Sequence, residues 1–224
     1  MREDDPHLGV DCASCHRGPD GGILGPFGAV TEAHPSTRSE HFTGAGSNAL
    51  CLACHSRTIG PVIGLGRDFE EAELGERGYR CIDCHMAPIE RRLAEGEELP
   101  LRQGRSHRLQ TPRDPAFLRQ AFAIEVEAEG EVLRVSIANR AGHRVPGLTD
   151  RVLRFTLELL DSSETVLDSF PLEVSRREPL ELGRSLRVEL PRAGAVRLRI
   201  VGRHEAASLL SPVTFLERVI ELDG

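Results

Sequence analysis

Three five-residue stretches share the form Cys-x-x-Cys-His, and together they contain every cysteine of the chain. They read CASCH at 12–16, CLACH at 51–55 and CIDCH at 81–85. Two thiols three residues apart lie on one side of a helical turn, where both can form thioethers with the two vinyl groups of one porphyrin. The adjacent imidazole then faces the iron. This is the attachment signature of c-type haem, and it predicts three covalently bound haems, each with its iron.

Other uses of paired cysteines explain the pattern less completely. Three disulfides would not require a histidine after each pair, and a zinc ribbon uses two pairs for one site, so the third pair would be left over. A redox-active Cys-x-x-Cys is usually single and lies in a βαβ unit, which this sequence does not indicate. The predicted cofactor-binding residues are therefore six cysteines and three proximal iron ligands: Cys12, Cys15, Cys51, Cys54, Cys81, Cys84, His16, His55 and His85.

The second axial position of each iron decides what the haem does. A second histidine saturates the iron and suits electron transfer, whereas an open position lets a small molecule bind. Counting nearly excludes methionine, because the chain contains only Met1 and Met86, and Met86 directly follows a proximal histidine. Bis-histidine ligation is therefore expected. Asp83, inside the third motif, either favours the oxidised haem or is simply solvated.

Six histidines remain outside the motifs, and their sequence context separates them. One lies between the first two motifs, one follows the third motif in GRSHRL, and one lies in the Gly/Pro loop NRAGHRVPG between two strand patterns. A histidine on that last loop could reach across and cap a haem. The expected distal ligands are His34, His107 and His143, with His41 and His7 in reserve and His204 at the surface.

The elements that must position these residues differ between the two halves of the chain. Residues 1–115 hold all six cysteines and seven of the nine histidines, but too few apolar side chains for an ordinary core, so the porphyrins are expected to supply it. One helix is expected over 67–85. Residues 116–224 alternate apolar and polar side chains with period two, between turn signals. The predicted fold class is α+β: an irregular, mostly helical triheme domain at 1–115 and an antiparallel, Ig-like β-sandwich at 116–224.

Charge and hydropathy exclude several classes of partner. The net charge of −7 argues against a nucleic-acid surface. No apolar run approaches the roughly 18 residues of a membrane span, so no transmembrane segment is expected. The chain also opens without the charged and apolar regions of a signal peptide, which we expect to have been removed.

The motifs and their order resemble the multihaem cytochrome c superfamily, and within it the cytochrome c554-like group. The resemblance is carried by GVDCASCH, LCLACH, GYRCIDCHMAP and SHRL, in that order. The later segment SIANRAGHRVPGLTDRVLRFTLEL resembles the N-x-x-x-G-H-x-x-P-T-G pattern of β-rich C-terminal domains in such proteins, although the usual Thr is missing. The resemblance implies that His34, His107 and His143 match positions of distal haem ligands.

The resemblance also implies electron transfer outside the cytoplasm. The expected function is that of an electron carrier, not an enzyme, which exchanges electrons with redox partner proteins or other cytochromes in a periplasmic or extracellular respiratory chain. One alternative is a subunit of a homo-oligomer or extracellular haem filament, in which a neighbouring subunit can donate a ligand. The other is a small oxidoreductase acting on a nitrogen or sulfur oxyanion. Related enzymes often use Lys or Tyr near a catalytic haem, and this chain has no Lys and only Tyr79.

Overall fold

The computed structural model describes residues 11–30, 35–58, 64–92, 100–206 and 210–222. Short elements make up the first half. Its helices are α1 (Cys12–His16), α2 (Ser47–His55), α3 (Leu65–Glu71) and α4 (Cys81–His85), with 3₁₀ turns at Glu40–Phe42 and Gly44–Gly46. Its strands are β1 (Ile23–Gly25), β2 (Ala29–Val30), β3 (Pro35–Arg38), β4 (Pro88–Arg91) and β5 (Arg102–Arg105).

The second half begins with one short helix and continues as strands. These elements are α5 (Pro115–Arg119), β6 (Phe122–Glu129), β7 (Val132–Asn139), β8 (Val152–Leu160), β9 (Val166–Val174), β10 (Ser185–Pro191), β11 (Arg197–Glu205) and β12 (Val213–Glu221). They form two antiparallel sheets with strand orders β10-β7-β6 and β12-β11-β8-β9. The prediction of a general α+β fold is confirmed.

Period-two alternation places one face of each sheet inward, as the sequence predicts. The two inward faces share a single hydrophobic core, to which β7 contributes Leu133 and Ile137, and β8 contributes Phe155 and Leu157. The sequence analysis did not single out β9 or β12. β9 is a sheet edge with mostly exposed side chains and a proline, whereas β12 breaks its alternation where Phe215 and Leu216 are both buried.

The haem-motif half has few apolar residues of its own to bury. Among its described residues, the buried apolar side chains are Phe69 and Leu74. The prediction of one helix over 67–85 is wrong. α3 ends at Glu71, and the chain then takes left-handed backbone conformations at Glu73 (φ 52°) and Gly78 (φ 86°), which a continuous helix cannot accommodate.

Each Cys-x-x-Cys-His motif forms a helix, or the end of one, that stops at the histidine. α1 begins at an Asp11 cap, whose carboxylate accepts the Ser14 backbone N–H at 2.7 Å. Both thiols of each motif therefore lie on a helical turn, as their spacing requires. Within the described residues, no helix combines the length and apolar composition needed to cross a bilayer.

His204 was expected at the surface, and that expectation is wrong. The inward face of β11 continues from Leu198 and Ile200 to residue 204, and the imidazole is only 2% exposed. Its cross-strand neighbours are Leu153 and Val213. Burial, followed by the charges of Arg151 and Arg113, lowers the pKa of His204 to about 4.

Candidate haem-binding site

The three motifs come together with the middle one between the other two. Burial and the neighbouring Cys51 and Cys54 raise the pKa of the Cys15 thiol. On the other side, a hydrogen bond between the Cys51 and Cys81 thiols lowers the pKa of Cys51 and raises that of Cys81. The thiols of the second motif are therefore near enough to thiols of the first and third motifs to change their pKa values.

Asn48 joins the second and third motif helices. It lies in the first turn of α2, is 4% exposed, and accepts the Cys81 backbone N–H at 2.9 Å through Oδ1. Its Nδ2 donates to the Tyr79 carbonyl at 3.1 Å. The side chain of Arg80, the cap residue of α4, makes no capping hydrogen bond. Asn48, from a distant segment, therefore supplies the acceptor for a free backbone N–H at the start of that helix.

Two of the proximal histidines are oriented by main-chain carbonyls. The Nδ1 of His16 lies 2.7 Å from the Leu24 oxygen, and that of His85 lies 3.0 Å from the Gln110 oxygen. A carbonyl can only accept, so Nδ1 carries the proton in each ring. The lone pair of Nε2 is then free to bind a metal, which is the usual arrangement for a ligating histidine.

Two of the predicted distal histidines face these proximal ones. The ring centres of His16 and His107 are 5.9 Å apart, and those of His85 and His143 are 6.3 Å apart with planes inclined by 19°. Two imidazoles that bind one metal from opposite sides, each through a nitrogen–metal bond of about 2 Å, have ring centres about 6 Å apart. The residues present therefore fit an iron held between each pair.

The surroundings of both distal imidazoles favour their neutral form. Burial is the main cause that lowers the pKa of His143, whose Nδ1 donates to the Arg144 carbonyl at 2.7 Å. Partial burial, followed by the charges of Arg91 and His16, lowers the pKa of His107. Because only a neutral imidazole offers a lone pair, both shifts favour metal binding.

The loop that carries His143 is held by a buried residue at the end of β7. The Asn139 Nδ2 donates to the carbonyls of His143 and Leu180, both at 2.9 Å, and its Oδ1 accepts the Ala141 N–H at 2.8 Å. The loop also packs tightly on α3, since a Cβ at Gly147 would lie 2.6 Å from the Leu65 side chain. The sequence predicted His143 as a candidate ligand but gave no sign of the contacts that hold its loop against β7 and α3.

The other candidate iron ligands have no facing imidazole among the described residues, or lie outside those residues. His55 and His41 are exposed, and among the described residues neither ring is paired with another imidazole, although His55 lies near enough to His143 for its charge to help lower the pKa of that residue. His41 lies next to Phe42, whose ring stacks on His16 at 4.6 Å. His34 and His7 lie outside the described residues.

Asp83 is an exposed residue that also forms two ion pairs. Its carboxylate accepts from Arg80 at 2.7 Å and from Arg105 at 2.6 Å, and these two residues lower its pKa. Arg105 also donates to the carbonyls of Ile82 and Met86, both at 3.2 Å, which ties β5 to the end of α4. The local charge around the third motif is therefore that of two guanidinium groups and one carboxylate.

The cysteines show neither of the competing arrangements. All six lie in the described residues, and none forms a disulfide. The described side chains also contain no group of three or more His, Cys, Asp or Glu that could hold a metal ion as a zinc ribbon does.

The comparisons with known proteins place this fold. No protein-family model matches the chain, and no curated protein matches its sequence. Its structure is similar to the crystal structure of a penta-heme cytochrome c552 from Thermochromatium tepidum, with a TM-score of 0.64 and 17% identity over 96% of this chain and 77% of that one. The fold is thus one found among multihaem c-type cytochromes. The similar protein is described as having five haems, whereas this chain has three attachment motifs.

Proposed function

We propose that this protein is an electron carrier of the multihaem cytochrome c kind, in the c554-like group, with three covalently attached c-type haems. It exchanges electrons with redox partner proteins in a periplasmic or extracellular respiratory chain. Residues 1–115 form the haem-binding domain, and residues 116–224 form an Ig-like β-sandwich. The thioether bonds are made by Cys12 and Cys15, by Cys51 and Cys54, and by Cys81 and Cys84.

The proposal rests on two pairs of neighbouring imidazoles. Their ring centres are 5.9 Å apart in one pair and 6.3 Å apart in the other. These distances support His16 and His107 as axial ligands of the first haem, and His85 and His143 as those of the third. Of the three expected distal ligands, His34 is then left for His55 and the second haem, with His41 in reserve.

The bound haems would supply one-electron chemistry, and the chain's own residues hold them. The carbonyls of Leu24, Gln110 and Arg144 keep Nδ1 protonated, so the Nε2 lone pair of each ring would be available to hold the metal. Two imidazoles on one iron leave no axial position for a substrate, which favours transfer of electrons over transformation of a bound molecule. The adjacent motif thiols support close spacing of the three groups.

Haem content and ferric electron paramagnetic resonance (EPR) test the proposal on the haem-loaded protein. We expect three haems per chain and low-spin signals alone. His107→Ala and His143→Ala should each convert one haem to a high-spin form that binds carbon monoxide when reduced. A wild-type high-spin signal that shifts with nitrite would overturn the carrier assignment in favour of an oxidoreductase. Light scattering on the same sample separates a monomeric carrier from a homo-oligomer or filament.

A further inference from the structure

Arg144, the residue after His143, is bound by a carboxylate from the haem-motif half of the chain. The Asp68 Oδ2 accepts the Arg144 backbone N–H at 2.9 Å and its Nε at 2.8 Å, and Oδ1 accepts Nη2 at 2.5 Å. Asp68 lies on α3 and is 7% exposed. One carboxylate thus holds both the main chain and the side chain of a residue 76 positions away.

The same residue orients the imidazole. The carbonyl of Arg144 accepts the His143 Nδ1–H at 2.7 Å, while its N–H is engaged by Asp68. Both peptide groups on either side of the Arg144 Cα are therefore fixed. A shift of Arg144 would move the acceptor that sets the rotation of the His143 ring.

We infer that Asp68 is a positioning residue, which seats the β-domain loop on α3 and aims the His143 imidazole at the iron bound by His85. The inference rests on the proposed function, because it takes His143 to be an axial ligand. The hydrogen bonds of the Asp68 carboxylate go to Arg144, and its charge also acts on the nearby His143 imidazole. The two halves of the chain meet at this contact, so the ligand reaches its site only when the loop is docked.

The ion pair between Asp68 and Arg144 stabilises the docked position of the loop. A carboxylate that loses contact with water needs several donors in good geometry, and it is strongly unfavourable if one partner leaves. Asp68 obtains three donors from one residue, so a loop displaced from α3 would lose all three hydrogen bonds together. Gly142 adds a close approach on the same face, where an added Cβ would contact the Phe69 ring at 3.4 Å.

The chain offers a matched control on the same arginine. Glu181 also pairs with Arg144, but through Nη1 at 3.5 Å and from a more exposed position. An exposed pair of this length contributes little to orientation. Asp68→Asn and Glu181→Gln each remove one negative charge beside Arg144. Only the first also replaces one of the two acceptor oxygens that hold the main-chain N–H and the guanidinium, because asparagine keeps a single acceptor oxygen.

The test uses the haem-loaded protein, with ferric EPR and the carbon monoxide bound by the reduced form. We expect Asp68→Asn to turn up to one haem equivalent high-spin and able to bind carbon monoxide, and Glu181→Gln to match the wild type. Arg144→Met keeps the main-chain hydrogen bond, so it should show the same change in a smaller fraction of molecules. If Asp68→Asn does not fold, Arg144→Met with wild-type spectra overturns the inference.

His143→Ala separates this inference from the proposed function. If that variant leaves every haem low-spin, His143 is not a ligand, and both ideas fail. If His143→Ala opens one haem while Asp68→Asn is indistinguishable from the wild type, only the positioning role is overturned. An equal effect of Glu181→Gln would also overturn it, since net charge and not geometry would then be responsible.

Discussion

His204 makes the β-domain sensitive to acid, and its structure gives the size of the effect. The imidazole is 2% exposed, and neither ring nitrogen has a hydrogen-bond partner in the part of the chain that is described. Burial and the charges of Arg151 and Arg113 lower its pKa from 6.5 to about 4. Between these two values the unfolded chain binds a proton that the folded chain does not, so stability falls as the pH falls through this window.

The magnitude follows from the size of the pKa shift. Each unit corresponds to about 1.4 kcal/mol, so the shift from 6.5 to about 4 costs about 3–4 kcal/mol once the pH is below both values. Between pH 7 and pH 4.5, the free energy of unfolding should fall by about 2.5 kcal/mol through this one residue. Above pH 7 the residue is neutral in both states, and its contribution to the pH dependence vanishes.

His204→Leu tests this prediction, because leucine fills a similar volume beside Leu153 and Val213 and does not titrate. Urea unfolding followed by circular dichroism at pH 7 and pH 4.5 gives the difference between variant and wild type, which removes the contribution of other groups. The variant should lose about 2.5 kcal/mol less than the wild type. At pH 7 it should be at least as stable, since a buried polar group without partners costs about 1–3 kcal/mol.

His204→Asn separates titration from packing. Asparagine keeps a polar group at the buried position but cannot take up a proton in this window. At pH 7, the free energy of unfolding of His204→Asn should therefore be lower than that of His204→Leu. It should change with pH as little as that of His204→Leu. Parallel loss of stability with falling pH in the wild type and both variants would refute the reasoning, because it would mean that His204 keeps an ordinary pKa.

Three further predictions follow from the site. Asn48→Leu removes the hydrogen bonds from α2 to Cys81 of α4 and to Tyr79 just before that helix, so urea titration should show that the free energy of unfolding falls by about 2–3 kcal/mol. A fall of less than about 0.5 kcal/mol would show that these hydrogen bonds are not needed. Asp83→Asn removes a negative charge and should raise the reduction potential of the haem at the third motif, whereas Arg105→Met removes a positive charge and should lower it. A redox titration in which both variants shift the potential in the same direction would contradict this. Gly147→Ala should destabilise the protein by about 1 kcal/mol, since the added carbon would lie 2.6 Å from the Cδ1 of Leu65, whose flexible side chain must turn aside. Gly104→Ala, where the added carbon has no neighbour within 4 Å, is its control in thermal unfolding.

The features that the sequence predicted depend on local spacing. The three motif helices follow from thiols and imidazoles within five residues, and the sheets follow from alternation within each strand. His204 was misjudged because its neighbours are polar, although the alternation that begins at Leu198 already placed it on the inward face. The pattern of a strand was a better guide to burial than the composition around one residue.

The features that the sequence did not predict are contacts between distant segments. Asn48 and Cys81 are separated by 33 positions, and Asp68 and Arg144 by 76. Neither Asn48 nor Asp68 belongs to a recognisable motif. The carbonyls that orient His16 and His85 are main-chain groups, which carry no sequence signal at all. These residues become visible only when the chain is folded, because their role is to hold other residues in place.

The composition of the first half is consistent with the proposal that the His143 loop supplies a haem ligand. Its described residues bury little apolar surface of their own, so an imidazole on one of its irregular segments would have to be ordered when the metal binds, and the entropy cost would reduce the affinity. The His143 loop avoids that cost, because Asn139 and the end of β7 hold it in place independently of any cofactor. Asp68 and Arg144 then transmit this order to the haem-motif half. On this view the two halves are fused because one provides attachment and the other provides a rigid second ligand.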